Sequence, residues 1–105
     1  MSLRPLTPQE RSAALHKAAA ARVSRAAAKE RLKTGDLSIA DLLSAGDTDE
    51  AIARMRVVEL LEALPGIGQV RAAAIMERFG IAPSRRIRGL GIHQRRALVD
   101  FIDEK

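Results

Sequence analysis

The segment LPGIG, residues 64–68, lies between two runs of apolar residues at helical spacing, and it restricts the fold more than any other part of the chain. Proline ends a helix because its ring removes a backbone donor, and glycine readily takes the positive φ angles of a very tight turn. The segment therefore predicts a helical hairpin, with helices over about 57–63 and 69–79 and positive φ at both glycines. Ile67 is expected to pack between these helices, and Val70, Ala73 and Ile75 or Met76 are expected on the apolar side of the second helix.

The rest of the chain also carries helix signals, and it shows no strand-like alternation. Thr7, Pro8 and Glu10 form a capping-box start, and alanine-rich sequence continues to about Lys33, just before Gly35. The predicted helices cover about 8–33, 39–46, 49–55, 57–63, 69–79 and 92–102. We therefore predict an all-α fold, with a long basic N-terminal helix in residues 1–35 and a compact core in residues 36–105.

The first helix lacks a continuous apolar stripe, because its large apolar residues Leu15, Val23 and Leu32 point in scattered directions. This pattern predicts a helix that does not dock into the core. Five basic residues lie within about 40° of one line along the same helix; they are Arg11, Arg22, Arg25, Lys29 and Lys33. The helix is expected to lie along a nucleic-acid duplex, or alternatively to be a solvated arm.

Charge is unevenly distributed along the 105 residues, which carry a net charge of +5 and have a sequence pI of about 10.7. Residues 1–33 carry a net +6, residues 34–53 carry −5 and residues 85–96 carry +5. Two basic blocks separated by an acidic segment predict two surfaces that face a polyanion. The chain has no cysteine, so disulfides and thiolate metal sites are excluded.

Both glycine-containing turns precede a helix, where unpaired backbone amides and the helix dipole can bind phosphate. The second turn, RRIRGLG at residues 85–91, adds guanidinium groups that bind phosphate through two hydrogen bonds each. Leu90 is expected to fill the core as Ile67 does in the first turn. The alternative is a plain linker with solvated arginines. Taken with Leu64, Pro65 and the spacing of the following helix, the first turn is typical of a helix-hairpin-helix motif.

The stretch from residue 64 to residue 91 resembles the helix-two-turns-helix core of the actinobacterial integration host factors, and the resemblance extends to PLTPQER and MRVVELLEALPG. The resemblance implies sequence-tolerant binding of double-stranded DNA, DNA bending and a role in nucleoid organisation. It implies core contacts from Gly66, Ile67, Gly68, Gln69, Arg71, Arg85, Arg86, Arg88, Gly89 and Gly91. The first helix would add contacts from Arg11, Arg22, Arg25, Lys29 and Lys33. Gln69 stands where relatives often have lysine, which removes one cation.

Several other functions are disfavoured by what the chain lacks. No lysine lies between Lys33 and Lys105, so the core has no amine for Schiff-base lyase chemistry, and no aspartate follows the hairpin closely, as related glycosylases require. His16 and His93 are far apart and lack neighbouring ligands, so no metal or other cofactor is expected. Two phenylalanines cannot stack single-stranded bases, and the first helix lacks an apolar face for membrane insertion. We predict a non-catalytic, cytoplasmic, nucleoid-associated monomer, with structured RNA as the alternative partner.

Overall fold

The computed structural model of the chain describes residues 5–103, which form six α-helices, a 3₁₀ turn and no strand. The helices are α1 (Pro8–Thr34), α2 (Ile39–Ala45), α3 (Glu50–Ala53), α4 (Val57–Ala63), α5 (Gln69–Arg78) and α6 (Ile92–Asp103), and the 3₁₀ turn covers Ile87–Gly89. The predicted all-α fold is confirmed. The division into residues 1–35 and 36–105 stays a prediction, and its ends, 1–4 and 104–105, lie outside the described residues.

Local signals place the ends of α1 as predicted. The Glu10 backbone N–H donates to Thr7 Oγ1 at 3.0 Å, and the Thr7 backbone N–H donates to Glu10 Oε1 at 3.3 Å. This reciprocal pair satisfies amides that would otherwise lack a partner at the helix start. Gly35 ends the helix with φ 84°, and its N–H donates to the Leu32 carbonyl. Across residues 5–103, no helix is both long and apolar enough to cross a membrane.

One apolar core joins all six helices. Its most deeply buried large side chains are Leu32, Ile39, Leu42, Met55, Val57, Leu60, Leu61, Ile87 and Leu98. Helix α1 packs against α3 and α4, while α2 packs against α3 and α6. The two hairpin helices α4 and α5 pack against each other, so the first turn is held on a buried base.

The prediction that α1 does not dock is wrong for the C-terminal end of the helix. Ala28 and Leu32 are buried in the core, and Leu32 is only 1% exposed. These two residues are one helical turn apart, so they form a short apolar stripe where the helix meets α4, and alanine permits a close approach. Leu15 and Val23 remain exposed, at 67% and 69%. Helix α1 is therefore anchored at one end and solvated at the other.

Two further predictions are corrected in the core. Helix α3 covers Glu50–Ala53 and is shorter than the predicted 49–55. Asp49 caps its start and accepts hydrogen bonds from the N–H groups of Ala51 and Ile52, and Arg54 is already its C-cap. In α5, Val70 and Ala73, which were expected on the apolar side, are exposed, and Val70 is 87% exposed. The buried face of α5 is formed instead by Ala72, Ile75 and Met76, whose spacing places them on one side of the helix.

Candidate nucleic-acid interface

The first turn follows α4 and is stabilised by backbone geometry and by one buried side chain. Gly66 has φ 78°, a conformation that costs L-residues about 1–2 kcal/mol. The Ile67 N–H donates to the Leu64 carbonyl at 3.2 Å, and the Ile67 side chain is 9% exposed within the core. The predicted packing of Ile67 is confirmed. Ile67 therefore supports the turn from below, and its side chain is unavailable to a ligand.

Gly68 differs from its predicted conformation, because its φ is −96° and only Gly66 of the two glycines has positive φ. Gly68 is the N-cap of α5, which has no side-chain cap, and a Cβ built there would meet no atom within 4 Å. Within residues 5–103, the N–H groups of Gly66, Gly68, Gln69 and Val70 donate no hydrogen bond. The start of α5 thus presents unpaired donors on an open backbone surface.

Lys29 and Lys33 of α1 line the same surface cavity as Pro65, Gly66 and Gly68. The sequence analysis placed these lysines in the contacts of the first helix, apart from those of the core. The docking of the end of α1 beside the hairpin brings them to the first turn. Gln69 and Arg71 are exposed on the first turn of α5. We call the set Lys29, Lys33, Gly66, Gly68, Gln69 and Arg71 the first-turn surface. It combines unpaired amides with three basic side chains, and Glu30, Glu59 and Glu62 also line the cavity.

The second turn is held by backbone hydrogen bonds to Met55, which follows α3, and to Val57, the first residue of α4. The Val57 N–H donates to the Arg85 carbonyl, and the Ile87 N–H donates to the Met55 carbonyl, both at 2.9 Å. Ile87 and Leu90 are buried, as predicted for Leu90. This pairing aligns residues 85–88 along the surface of the core.

Arg85 turns back onto its own loop. Its Nη1 donates to the Gly89 carbonyl at 2.9 Å and to Gln94 Oε1 at 3.3 Å, and a Cβ on Gly89 would lie 2.8 Å from Arg85 Cδ. Gln94 also accepts from the Gly91 N–H at 3.2 Å and donates to the Gly80 carbonyl at 3.3 Å. Arg85 therefore supports the turn, and the Gly91 amide has an internal partner.

Sequence reasoning missed Gln94, although the chain carried a signal for it. A glutamine at the third position of a helix commonly bonds to the N-cap backbone, and Gln94 stands three residues after Gly91. That spacing predicts the observed hydrogen bond. Only the structure adds the Arg85 and Gly80 contacts.

Arg86 and Arg88 are the exposed cations of the second turn. Arg86 Nη1 donates to the Arg54 carbonyl at 2.6 Å, which anchors one edge of its guanidinium and leaves other donors open. Arg88 Nη2 lies 3.9 Å from Glu50 Oε1, a loose contact for a side chain that is 62% exposed. Arg54, Arg86 and Arg88 line one surface cavity, and we call these three residues the second-turn surface. Sequence reasoning did not select Arg54.

The remaining basic residues of α1 lie farther along the helix. Arg22 and Arg25 line a groove between α1 and α3 that also contains Lys17, Glu50 and Arg54. Arg11 is exposed in the first third of the helix. The structure thus brings four of the five predicted helix cations to grooves at the core and leaves Arg11 apart.

Two glycine turns, each followed by a helix on a shared all-α core, define a helix-two-turns-helix protein. Residues 32–101 match the family described as "S13-like H2TH domain". The integration host factor of Streptomyces coelicolor is 54% identical over 94 residues, which are 90% of this chain and 88% of that protein. The integration host factor of Mycolicibacterium smegmatis is 50% identical over 104 residues, which are 99% of both chains.

A solved structure supports the same relationship. It is described as sIHF bound to an 8bp palindromic DNA, and it shares 51% identity with this chain at a TM-score of 0.77. The match covers 79% of this chain and 93% of that one. The chain belongs to the actinobacterial integration host factor family, as the resemblance of its turns implied.

Proposed function

We propose that this chain is a non-catalytic protein that binds and bends double-stranded DNA with little sequence preference. The observation that carries the proposal is the first-turn surface, where unpaired amides of α5 lie beside Lys29 and Lys33. Amides at a helix start bind phosphate oxygens, and lysines supply the charge. The relative whose structure contains DNA supports duplex DNA as the polyanion.

Bending follows from the arrangement of the basic surfaces. Because the C-terminal end of α1 is buried in the core and α1 is one continuous helix of 27 residues, its exposed half extends outward from the core. A duplex that contacts both the turns and the exposed half of α1 would have to bend, because these basic surfaces do not lie on one straight line. We expect closer duplex ends on binding, measured by energy transfer between end labels; an unchanged end-to-end distance in the saturated complex would contradict bending.

The partner, assembly and location belong to the same proposal. Structured RNA is disfavoured as the partner because the matched relatives are named integration host factors and the solved relative holds DNA. We propose that the protein acts as a monomer on the cytoplasmic nucleoid. The DNA-contacting residues are likewise proposed, and they include the aligned cations of α1, which we call the basic face of α1: Arg11, Arg22, Arg25, Lys29 and Lys33.

We expect DNA affinity to depend steeply on salt. Each phosphate contact contributes about −0.9 to the slope of log K against log salt concentration, so five contacts at the two turns give about −4.5, and contacts from Arg11, Arg22 and Arg25 would make the slope steeper. The five cations are Lys29, Lys33, Arg71, Arg86 and Arg88. Titration of a labelled random-sequence DNA duplex across salt concentrations measures this slope. A length-matched RNA duplex is the comparison, and equal or tighter RNA binding would favour the RNA alternative.

Gly66 and Gly68 are expected to respond differently to substitution. Gly66→Ala should lower the free energy of unfolding by about 1 kcal/mol, because Gly66 has positive φ. Gly68→Ser should raise it by a few tenths of a kcal/mol, since serine is a slightly better N-cap than glycine. It should nevertheless weaken DNA binding about tenfold, because its hydroxyl would occupy the amides that bind phosphate.

Thermal unfolding and DNA titration of both variants test these expected changes in stability and in DNA affinity. A Gly68→Ser protein that is more stable and binds DNA as tightly as the unaltered chain would show that the amides of α5 do not contact phosphate. Gly66→Ala serves as the control, because it also adds a small side chain to the first turn but brings no hydroxyl to the amides of α5.

A further inference from the structure

Glu50 is the meeting point of three basic side chains from three parts of the fold. Glu50 Oε1 lies 2.7 Å from Arg54 Nη2 and 3.9 Å from Arg88 Nη2, and Glu50 Oε2 lies 3.7 Å from Lys17 Nζ. Lys17 belongs to α1, Arg54 directly follows α3, and Arg88 lies in the 3₁₀ turn. One carboxylate therefore faces three cations, and the cluster keeps a positive charge.

The ion pairs of this cluster are exposed, with 75% of the Lys17 side chain, 57% of Arg54 and 48% of Glu50 accessible. Such pairs are weak, because water screens them and ordering long side chains costs entropy. A phosphate offers more acceptor oxygens and suits the two-donor geometry of arginine. A DNA phosphate can therefore compete with Glu50 for the same donors.

The cluster also links the basic cavity at the second turn with the basic groove between α1 and α3. Arg54 lines a cavity with Arg86 and Arg88 on one side. It lines the groove with Lys17 and Arg22 on the other side. Arg54 and its neighbours thus connect the second-turn surface with the basic face of α1.

We propose that Lys17 of α1 joins Arg54 and Arg88 of the second-turn surface in one phosphate-binding cluster, whose counter-ion in the DNA-free protein is Glu50. The proposal rests on the proposed duplex-DNA function and adds a contact between the second turn and α1. Glu50 holds the three cations together and limits DNA affinity, because a phosphate must displace it or bind beside it.

Glu50→Gln tests the role of the carboxylate, with Glu77→Gln as the matched control. Both changes raise the net charge equally, but Glu77 is exposed in α5, eight residues from Gln69. Glu77 lines none of the surface cavities that contain the basic side chains of the two turns and of the groove beside α1. We expect Glu50→Gln to tighten duplex-DNA binding about threefold and Glu77→Gln to change it by less than about 1.5-fold.

Arg54→Gln tests the cations directly. It should weaken DNA binding about threefold and reduce the magnitude of the salt slope by about 1. In the Arg54→Gln background, Glu50→Gln should lose at least half of its effect, because the two side chains act on one site. Measurements use the full chain and a random-sequence duplex, with thermal unfolding expected to be unchanged for each variant.

The outcomes separate this cluster from the broader function. Equal effects of Glu50→Gln and Glu77→Gln, or normal DNA binding by Arg54→Gln, would overturn the cluster while leaving duplex binding in place. Absence of DNA binding by the unaltered chain would overturn the proposed function itself. Tighter binding by Glu50→Gln alone, together with weaker binding by Arg54→Gln, would support the cluster.

Discussion

Replacing Arg86 and Arg88 together by alanine is expected to weaken binding to any DNA duplex by about 10- to 100-fold at 0.1 M salt. Each phosphate contact contributes about 0.9 to the salt slope, which corresponds to roughly eightfold in affinity between 1 M and 0.1 M salt. Both side chains are exposed in the second turn, and Arg86 is anchored through the Arg54 carbonyl. The magnitude of the salt slope should fall by about 2. Titrations of two unrelated duplexes measure both quantities.

The choice of Arg86 and Arg88 depends on what Arg85 does. Arg85 bonds to the Gly89 carbonyl and to Gln94, so its removal would disturb the turn as well as the charge. A loss of affinity in an Arg85 variant would therefore not identify a phosphate contact. Arg86 bonds to a backbone carbonyl outside the turn, that of Arg54, and Arg88 lies near Glu50, so removing both charges leaves the hydrogen bonds within the turn in place.

Two controls sharpen the experiment on the second turn. Arg31→Ala with Arg78→Ala removes the same charge from exposed sites, where Arg31 pairs with Asp36 and Arg78 lies over the Phe101 ring. This control should bind DNA within about threefold of the unaltered chain. Lysine at 86 and 88 should retain the salt slope but only part of the affinity, because lysine lacks the two-donor fork. A loss confined to one duplex sequence would contradict phosphate binding.

Leu32→Ala is expected to lower the free energy of unfolding by about 3 kcal/mol, within the range of about 2–5 kcal/mol for buried leucines. Leu32 is 1% exposed and lies where α1 joins the core. The loss includes the transfer of the side chain and the cavity that remains. For a domain of this size it corresponds to a fall in Tm of about 12–24 °C.

Leu15→Ala is the matched control, because it makes the same substitution in the same helix at a side chain that is 67% exposed. Its effect should stay within about 0.5 kcal/mol. Circular dichroism during heating measures both variants. Equal Tm values for the two proteins would mean that the end of α1 is not docked, and the geometric basis for DNA bending would then be lost.

Sequence reasoning predicted most helix boundaries because their signals are local. The capping box of Thr7 and Glu10, the Gly35 stop and the turn at Gly66 depend on groups within a few residues of one another. The same holds for the packing of Ile67, which the hairpin requires. Val70 was misplaced because short apolar runs do not specify which side of a helix faces the core.

The candidate site was predicted less completely than the fold. The glycine turns and the arginines of the second turn were found by their spacing, and their roles in DNA binding remain proposals. Arg85 and Arg86 look equivalent in the sequence, yet Arg85 bonds within its loop and Arg86 bonds to the Arg54 carbonyl, 32 residues away. Adjacent residues of one type can differ in this way because contacts with other segments determine which donors stay free.

The sequence by itself determined the helical class, the two turns, the excess of basic residues and the family to which the chain belongs. Those properties follow from local backbone preferences, from composition and from motif spacing. Only the tertiary structure decided that α1 docks through Leu32, that Lys29 and Lys33 lie beside the hairpin, and that Glu50 gathers cations from three segments. These contacts join residues distant in the chain, so they depend on how the helices pack, which local preferences do not specify.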